Sequence, residues 1–227
     1  MDPVTADRAP APTANAEPAP TEAGTAGAAA TTAAPTSGSA PTTPELRRCF
    51  GGDDPVYSAY HDTEWGVELH GDQEIFERIS LEIFAAGLAW LTVLRKRDAF
   101  REALAGFDPA AVARFDEADV ERLMNNAGII RNRSKIEATI HNAQVLTAWQ
   151  AEGGSLDRLV WSHRPFSHPA PVTPADIPSG IPESSALTAA LKKVGFKWVG
   201  PTVAYSTMQA VGVVDDHPLT CPRHTAR

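Results

Sequence analysis

The chain has 227 residues, 43% of them hydrophobic, a net charge of −8 at pH 7 and two cysteines. An acidic balance of this size excludes a broadly basic nucleic-acid binder, so any DNA contact has to come from a local patch. The absence of a run of about 18 apolar residues excludes a helical membrane span, and so few cysteines point to a metal or free thiols rather than a disulfide framework.

Residues 1–44 are rich in Ala, Pro and Thr and nearly free of large apolar side chains. Such a segment cannot offset the entropy of ordering, and a disordered tail is expected. It lacks the basic n-region and Leu-rich h-region of a secretory signal, which leads to the expectation of a cytoplasmic protein. Residues 45–227 then form one domain of about 180 residues, enough for a single compact core.

The domain opens on Cys49 and Phe50 and a cluster of aromatics, Tyr57, Tyr60 and Trp65, around His61 and Glu64. Aromatics beside a metal ligand would be held rigidly, as a slot for a planar ligand requires, although core packing accounts for some of them equally well. A helix is predicted over Gln73–Ala86 from the spacing of Ile75, Phe76, Ile79 and Ile83. Glu82 interrupts its inward face; it reads either as a rim carboxylate paired with Arg78 or as a buried carboxylate put to use. Small residues follow at Ala85, Ala86 and Gly87, then Leu88 and Trp90, which reads as a core anchor or as a stacking surface. A second, more basic helix is predicted over Thr92–Ala105, with Asp108 and Asp116 as later N-caps.

Helices are next predicted over Val120–Asn125 and Asn132–Ala151, separated by Ala127-Gly128-Ile129-Ile130. Gly128 permits a tight hairpin, after which Arg131, Arg133 and Lys135 gather where a helix dipole disfavours cations. That placement is relieved by an anion such as a DNA phosphate; a solvated basic face is the other reading. The Pro-rich stretch from Pro165 to Pro182 is read as an irregular loop. A helix capped by Ser184 or Ser185 runs through Lys193 to a stop at Gly195, and a last one spans Thr202–Val211 before Gly212. No strand is predicted, so the fold class is all-α. His217 and Cys221 close the domain, and with Cys49 and His61 they make a Cys2His2 set suited to a closed tetrahedral zinc site clasping its two ends.

Taken together, Arg48-Cys49, Tyr60-His61-Asp62-Thr63-Glu64-Trp65-Gly66, Ala86-Gly87-Leu88-Ala89-Trp90, Gly128-Ile129-Ile130-Arg131-Asn132-Arg133, Leu191-Lys192-Lys193, Gly195-Phe196-Lys197, Met208-Gln209-Ala210 and Asp216-His217 resemble the bacterial 3-methyladenine DNA glycosylase I family. The resemblance covers the chain from Arg48 to Cys221. It implies an all-helical helix-hairpin-helix glycosylase with one structural Zn2+ on Cys49, His61, His217 and Cys221. It implies a flipped base beside Glu82, the catalytic residue, with Tyr57, Tyr60, Trp90, Trp65 and Phe50 around it. DNA contact is expected at Gly128, Arg131, Arg133 and Lys135, with Leu88 as the wedge.

The implied partner is double-stranded DNA carrying alkylated bases, read by a monomer that needs no nucleotide cofactor. Three positions depart from the family pattern: Ala85 stands for a Gln, Asp215 for an Asn, and Phe50 substitutes for a Trp near the first zinc ligand. A non-catalytic zinc-stabilised helix-hairpin-helix DNA-binding module stays open, as does a zinc-stabilised protein-interaction domain. A metal hydrolase is disfavoured, because four protein ligands leave no position for water.

Overall fold

A computed structural model describes residues 48–224. The tail expected over residues 1–44 lies outside the described residues. All regular structure in the described residues is helical, with no strand.

The chain enters through a helix that the sequence reading did not single out, α1 (Pro55–Thr63). Its start has a readable signal: Asp54 accepts hydrogen bonds from the amides of Val56 and Tyr57, and Pro occupies the first turn, where its missing N–H costs nothing. The predicted second helix appears as α2 (Asp72–Ala85). Ile75, Phe76, Leu81, Ile83 and Phe84 on it are wholly buried. Each such side chain contributes about 1.5–3 kcal/mol on burial, so α2 is the axis of the core, contacted by several of the helices that follow.

The single helix expected over Thr92–Ala105 is instead two, α3 (Trp90–Leu94) and α4 (Arg97–Ala103). The break falls at Lys96, whose backbone leaves helical geometry and whose ammonium donates to the carbonyls of Ala127 and Gly128 at 3.0 and 3.1 Å. Val93 on α3 and Phe100 on α4 are both wholly buried. A short 3-10 turn leads into α5 (Pro109–Val112), capped by Asp108, and α6 (Glu117–Met124), capped by Asp116 with Asp119 reciprocating. Both expected caps are thus in place.

The long α7 (Arg133–Ala151) begins at Asn132, whose side chain accepts from the amide of Lys135. It packs against α5, α6 and α2. A further unpredicted helix, α8 (Leu156–Trp161), is capped by Ser155 and covers α2. Next, α9 (Pro182–Val194) starts ahead of the predicted cap; Ser184 sits a turn inside it, its Oγ 3.0 Å from the amide of Ile181. Finally α10 (Pro201–Ala210) lies between α9 and α2.

Candidate active site

The site is built outward from α1. Tyr57, Tyr60 and His61 recur at helical spacing, so one flank of a single helix supplies two phenols and a metal ligand. His61 Nε2 lies 2.9 Å from Cys49 Sγ and 3.4 Å from Cys221 Sγ. With His217 included, the four ligand atoms lie within 4.8 Å of one another. The other nitrogen of each ring faces a carboxylate: His61 Nδ1 is 2.8 Å from Asp62, and His217 Nδ1 is 2.7 Å from Asp215. Such partners fix ring orientation at metal sites, and His217 Nε2 is left buried without a hydrogen-bond partner. Burial, and then the neighbouring Cys221, push the Cys49 thiol up, a cost that a bound cation reverses. The cluster is therefore able to hold a metal ion.

Close approach of the two ends depends on Gly66. At its φ of 75°, a Cβ would stand 2.9 Å from His217 Cε1, and its amide donates to the carbonyl of Gln209 at 3.0 Å. From the cluster, aromatic contacts lead inward. The Trp65 ring lies 4.6 Å from that of His217 and 4.9 Å from that of Phe50, which in turn lies 4.8 Å from Tyr57.

Phe50, Tyr57, Tyr60, Trp65, Trp90 and Glu82, the six residues expected around a base, line one cavity of about 190 Å³. This is below the roughly 300–1,000 Å³ of ordinary small-molecule clefts, and it suits one flat ring system. The Tyr60 and Trp90 rings are 5.5 Å apart and tilted by 49°, so they form a corner of the cavity rather than the parallel walls of a sandwich. Trp90 Nε1 is buried and unpartnered.

Glu82 is not the rim carboxylate of an Arg78 pair. Arg78 donates instead to Glu64 at 2.9 Å and approaches Glu77 at 3.3 Å, and no hydrogen bond or ion pair among the described residues reaches Glu82. Burial pushes its carboxyl up to about 8, with Arg78 opposing. Burial first, and Glu82 second, push the hydroxyls of Tyr57 and Tyr60 up as well, keeping both neutral.

Two further lining residues, Ser206 and Gln209 of α10, have no site role assigned from the sequence, although Gln209 lies in the Met208-Gln209-Ala210 motif. Their spacing places both on one face of that helix, but single polar residues in a helix carry no signal of their own. Gln209 is fixed by Asp216, which accepts from Gln209 Nε2 at 2.6 Å and from the Tyr205 hydroxyl at 2.5 Å.

The hairpin departs from expectation at three of its residues. Gly128 does not offer its amide outward: the N–H donates to Asn126 Oδ1 at 2.8 Å. A Cβ there would stand 2.9 Å from Asn126 Oδ1 and 3.1 Å from the Ala99 Cβ, so a side chain at this position would force its neighbours to shift. Arg133 is engaged by Glu117 at 2.7 Å and by Glu121. Lys135 turns inward, 5% exposed, and donates to the carbonyls of Phe84 and Ala86 at 3.0 and 2.6 Å. It is a tie between α7 and the end of α2, and not a cation facing DNA. Of the expected cations Arg131 stands exposed, and Leu88, 46% exposed, projects from the turn between α2 and α3.

This arrangement can be set beside known proteins. The methyladenine glycosylase family model matches residues 50–224. The chain belongs to that family. DNA-3-methyladenine glycosylase 1 of Escherichia coli K12 is 47% identical over 180 residues, covering 78% of this chain and 96% of the relative. Among solved structures, a 3-methyladenine DNA glycosylase I aligns with a TM-score of 0.76 at 46% identity, over 79% of this chain and all of the other. The Staphylococcus aureus enzyme, solved in a study of its 3-methyladenine recognition, aligns at 0.73 and 34% identity, over 81% of this chain and 100% of its own. As a family member this chain is a helical glycosylase whose metal-capable cluster and aromatic cavity share a wall.

Proposed function

We propose that the protein is a monofunctional DNA glycosylase of base-excision repair that hydrolyses the N-glycosidic bond of 3-methyladenine in alkylated double-stranded DNA, with 3-methylguanine as a further candidate substrate. The observation that carries this reading is the Glu82 carboxyl, without a partner of its own, in the wall of a small aromatic cavity. N3-methylation makes adenine cationic, so the glycosidic bond is already weak and little acid catalysis is needed. When the bond breaks its electron pair stays with the base, which leaves neutral, while water adds to the sugar carbon and releases a proton.

The protein's tasks are to extract the base and to stabilise positive charge. Unstacking costs a few kcal/mol, less for a damaged base, and contact with Tyr60 and Trp90 returns about 1–3 kcal/mol per aromatic surface. Phe50, Tyr57 and Trp65 complete the enclosure. Glu82 accepts from the exocyclic amine and favours positive charge on the base and on the developing oxocarbenium. Arg131 contacts phosphate, and Leu88 fills the space that the base vacates. Lys135 is no nucleophile, since its ammonium is held by two carbonyls, which supports hydrolysis without strand cleavage.

The cluster of Cys49, His61, His217 and Cys221 holds one Zn2+ in this reading. Its donor set and the free His217 Nε2 fit that ion, and with every position filled by protein its contribution is structural. The unit comprising residues 45–227 works as a cytoplasmic monomer without a nucleotide cofactor; among the described residues no helix is long and apolar enough to cross a membrane. Incubating the protein with alkylated DNA and assaying released bases tests the proposal. Free 3-methyladenine without strand scission is expected, and DNA binding without release would reduce the protein to a binding module.

A further inference from the structure

Outside the cavity, the turn between α9 and α10 combines charge, an exposed indole and an uncommon backbone conformation. From residue 184 to residue 214 the chain has three lysines, Lys192, Lys193 and Lys197, and no acid, within a protein of net charge −8. All three lysines are exposed, and none is ion-paired among the described residues. Beside them stands Trp198, 48% exposed with a φ of 62°, a left-handed conformation that bulky side chains adopt rarely and that clusters at functional sites.

The long helix α7 holds this turn in place. His141 Nε2 lies 3.0 Å from the carbonyl of Gly195. Asn142, 1% exposed, donates to the carbonyl of Lys197 at 3.0 Å and accepts from its amide at 2.7 Å. The Lys135 ammonium lies 5.8 Å from the centre of the Trp198 ring while holding the carbonyl of Ala86 at 2.6 Å, close along the chain to Leu88. One helix thus fixes both the turn that carries Trp198 and the loop that carries Leu88. An exposed indole held this way is presented to a partner, and the acid-free lysine segment beside it selects a polyanion.

We propose that Lys192–Trp198 is a second DNA-contact element, in which Trp198 stacks on a nucleobase of the duplex left unpaired when the lesion is extracted, and the three lysines take the adjoining phosphates. This rests on the glycosylase reading and adds a surface to it. Stacking on an indole is indifferent to sequence because every base has a π face. It does require a base freed from its partner, so Trp198 discriminates opened from intact DNA, whereas the lysines bind both.

The test uses the full chain and two duplexes, one undamaged and one with a stable abasic-site analogue, over a range of salt concentrations. Trp198→Ala is expected to weaken abasic-duplex binding about tenfold while undamaged-duplex binding stays within about twofold. Trp198→Phe should restore most of the loss. The double variant Lys192→Ala/Lys193→Ala should weaken both duplexes alike and lower the salt slope by roughly two. Abasic binding by Trp198→Ala within about twofold of wild type, equal losses on both duplexes, or an unchanged salt slope in the lysine variant would overturn the element. Base excision by the wild-type protein is measured in parallel; its absence would sink the glycosylase reading, which the Trp198 result leaves untouched.

Discussion

A carboxyl that ordinarily titrates at 4.5 is pushed up to about 8 at Glu82, so at neutral pH much of the free protein carries it protonated. A cationic base entering the cavity favours the ionised form. The pH dependence follows in sign: kcat/KM for excision, which reports the free protein, should rise with pH and level off above about 8. Glu82→Gln keeps the shape and removes the charge; single-turnover excision should fall about a hundredfold, near 3 kcal/mol of transition-state stabilisation. A variant that excises at the wild-type rate would remove Glu82 from the mechanism. The same group also writes itself into stability. Its native-state pKa lies above the unfolded value, so the fold loses stability as pH rises from about 4.5 to about 8. Glu82→Gln, lacking that titration, should gain in Tm relative to wild type across this window; parallel Tm curves would contradict the burial. Glu82 was legible in the sequence because a charge interrupted an apolar face. Ser206 and Gln209 interrupt nothing, and only the packing of α10 against α2, which turns them into the cavity, reveals them.

Among the elements, the hairpin and α7 were readable from Gly128 and Asn132, but the direction of each cation was not. Side-chain direction depends on which acids the neighbouring helix supplies, and α6 supplies Glu117 and Glu121 to Arg133. With Arg131 proposed to contact phosphate, Arg131→Ala should lower the salt slope of DNA binding by about one. Arg133→Ala should leave the slope unchanged and cost a little stability. The reverse pattern, read from binding titrations at several salt concentrations, would restore Arg133 to the interface. Lys135→Met should cost about 1–3 kcal/mol in a urea melt, because the Phe84 and Ala86 carbonyls lose their donor, again with the slope unchanged. α1 has an Asp-Pro start as clear as that at Asp108, but its aromatics read equally as a binding surface, which masks the helical spacing. The break at Lys96 had no signal at all, as it arises from carbonyls more than thirty residues further on.

For the molecule as a whole, the metal-capable cluster is the contact that joins α1 to the segment after α10. Cys49→Ser or Cys221→Ser should lower stability severely, because apparent zinc binding at structural sites is on the order of 10 kcal/mol. Excision per folded molecule should fall much less. Elemental analysis finding no zinc in protein of normal Tm would refute the structural role. The all-α class and the pairing of the domain's two ends were both legible, since helical periodicity and the order of Cys and His residues survive in a linear string. The cavity's tilted corner was not, because ring angles follow from how helices cross.

The partners His61 and Cys221 are 160 residues apart along the chain. On a ribosome adding about 5–20 residues per second, roughly 10–30 s pass between synthesis of the first and of the second. Through that interval Tyr57 and Tyr60 exist without the segment that fixes their helix, and Gln209 has yet to be made for most of it. A nascent chain therefore has the hairpin and its Arg131 before it has a finished cavity. The fold that encloses the cavity is thus completed late in synthesis, as Gln209, His217 and Cys221 are added, rather than gradually.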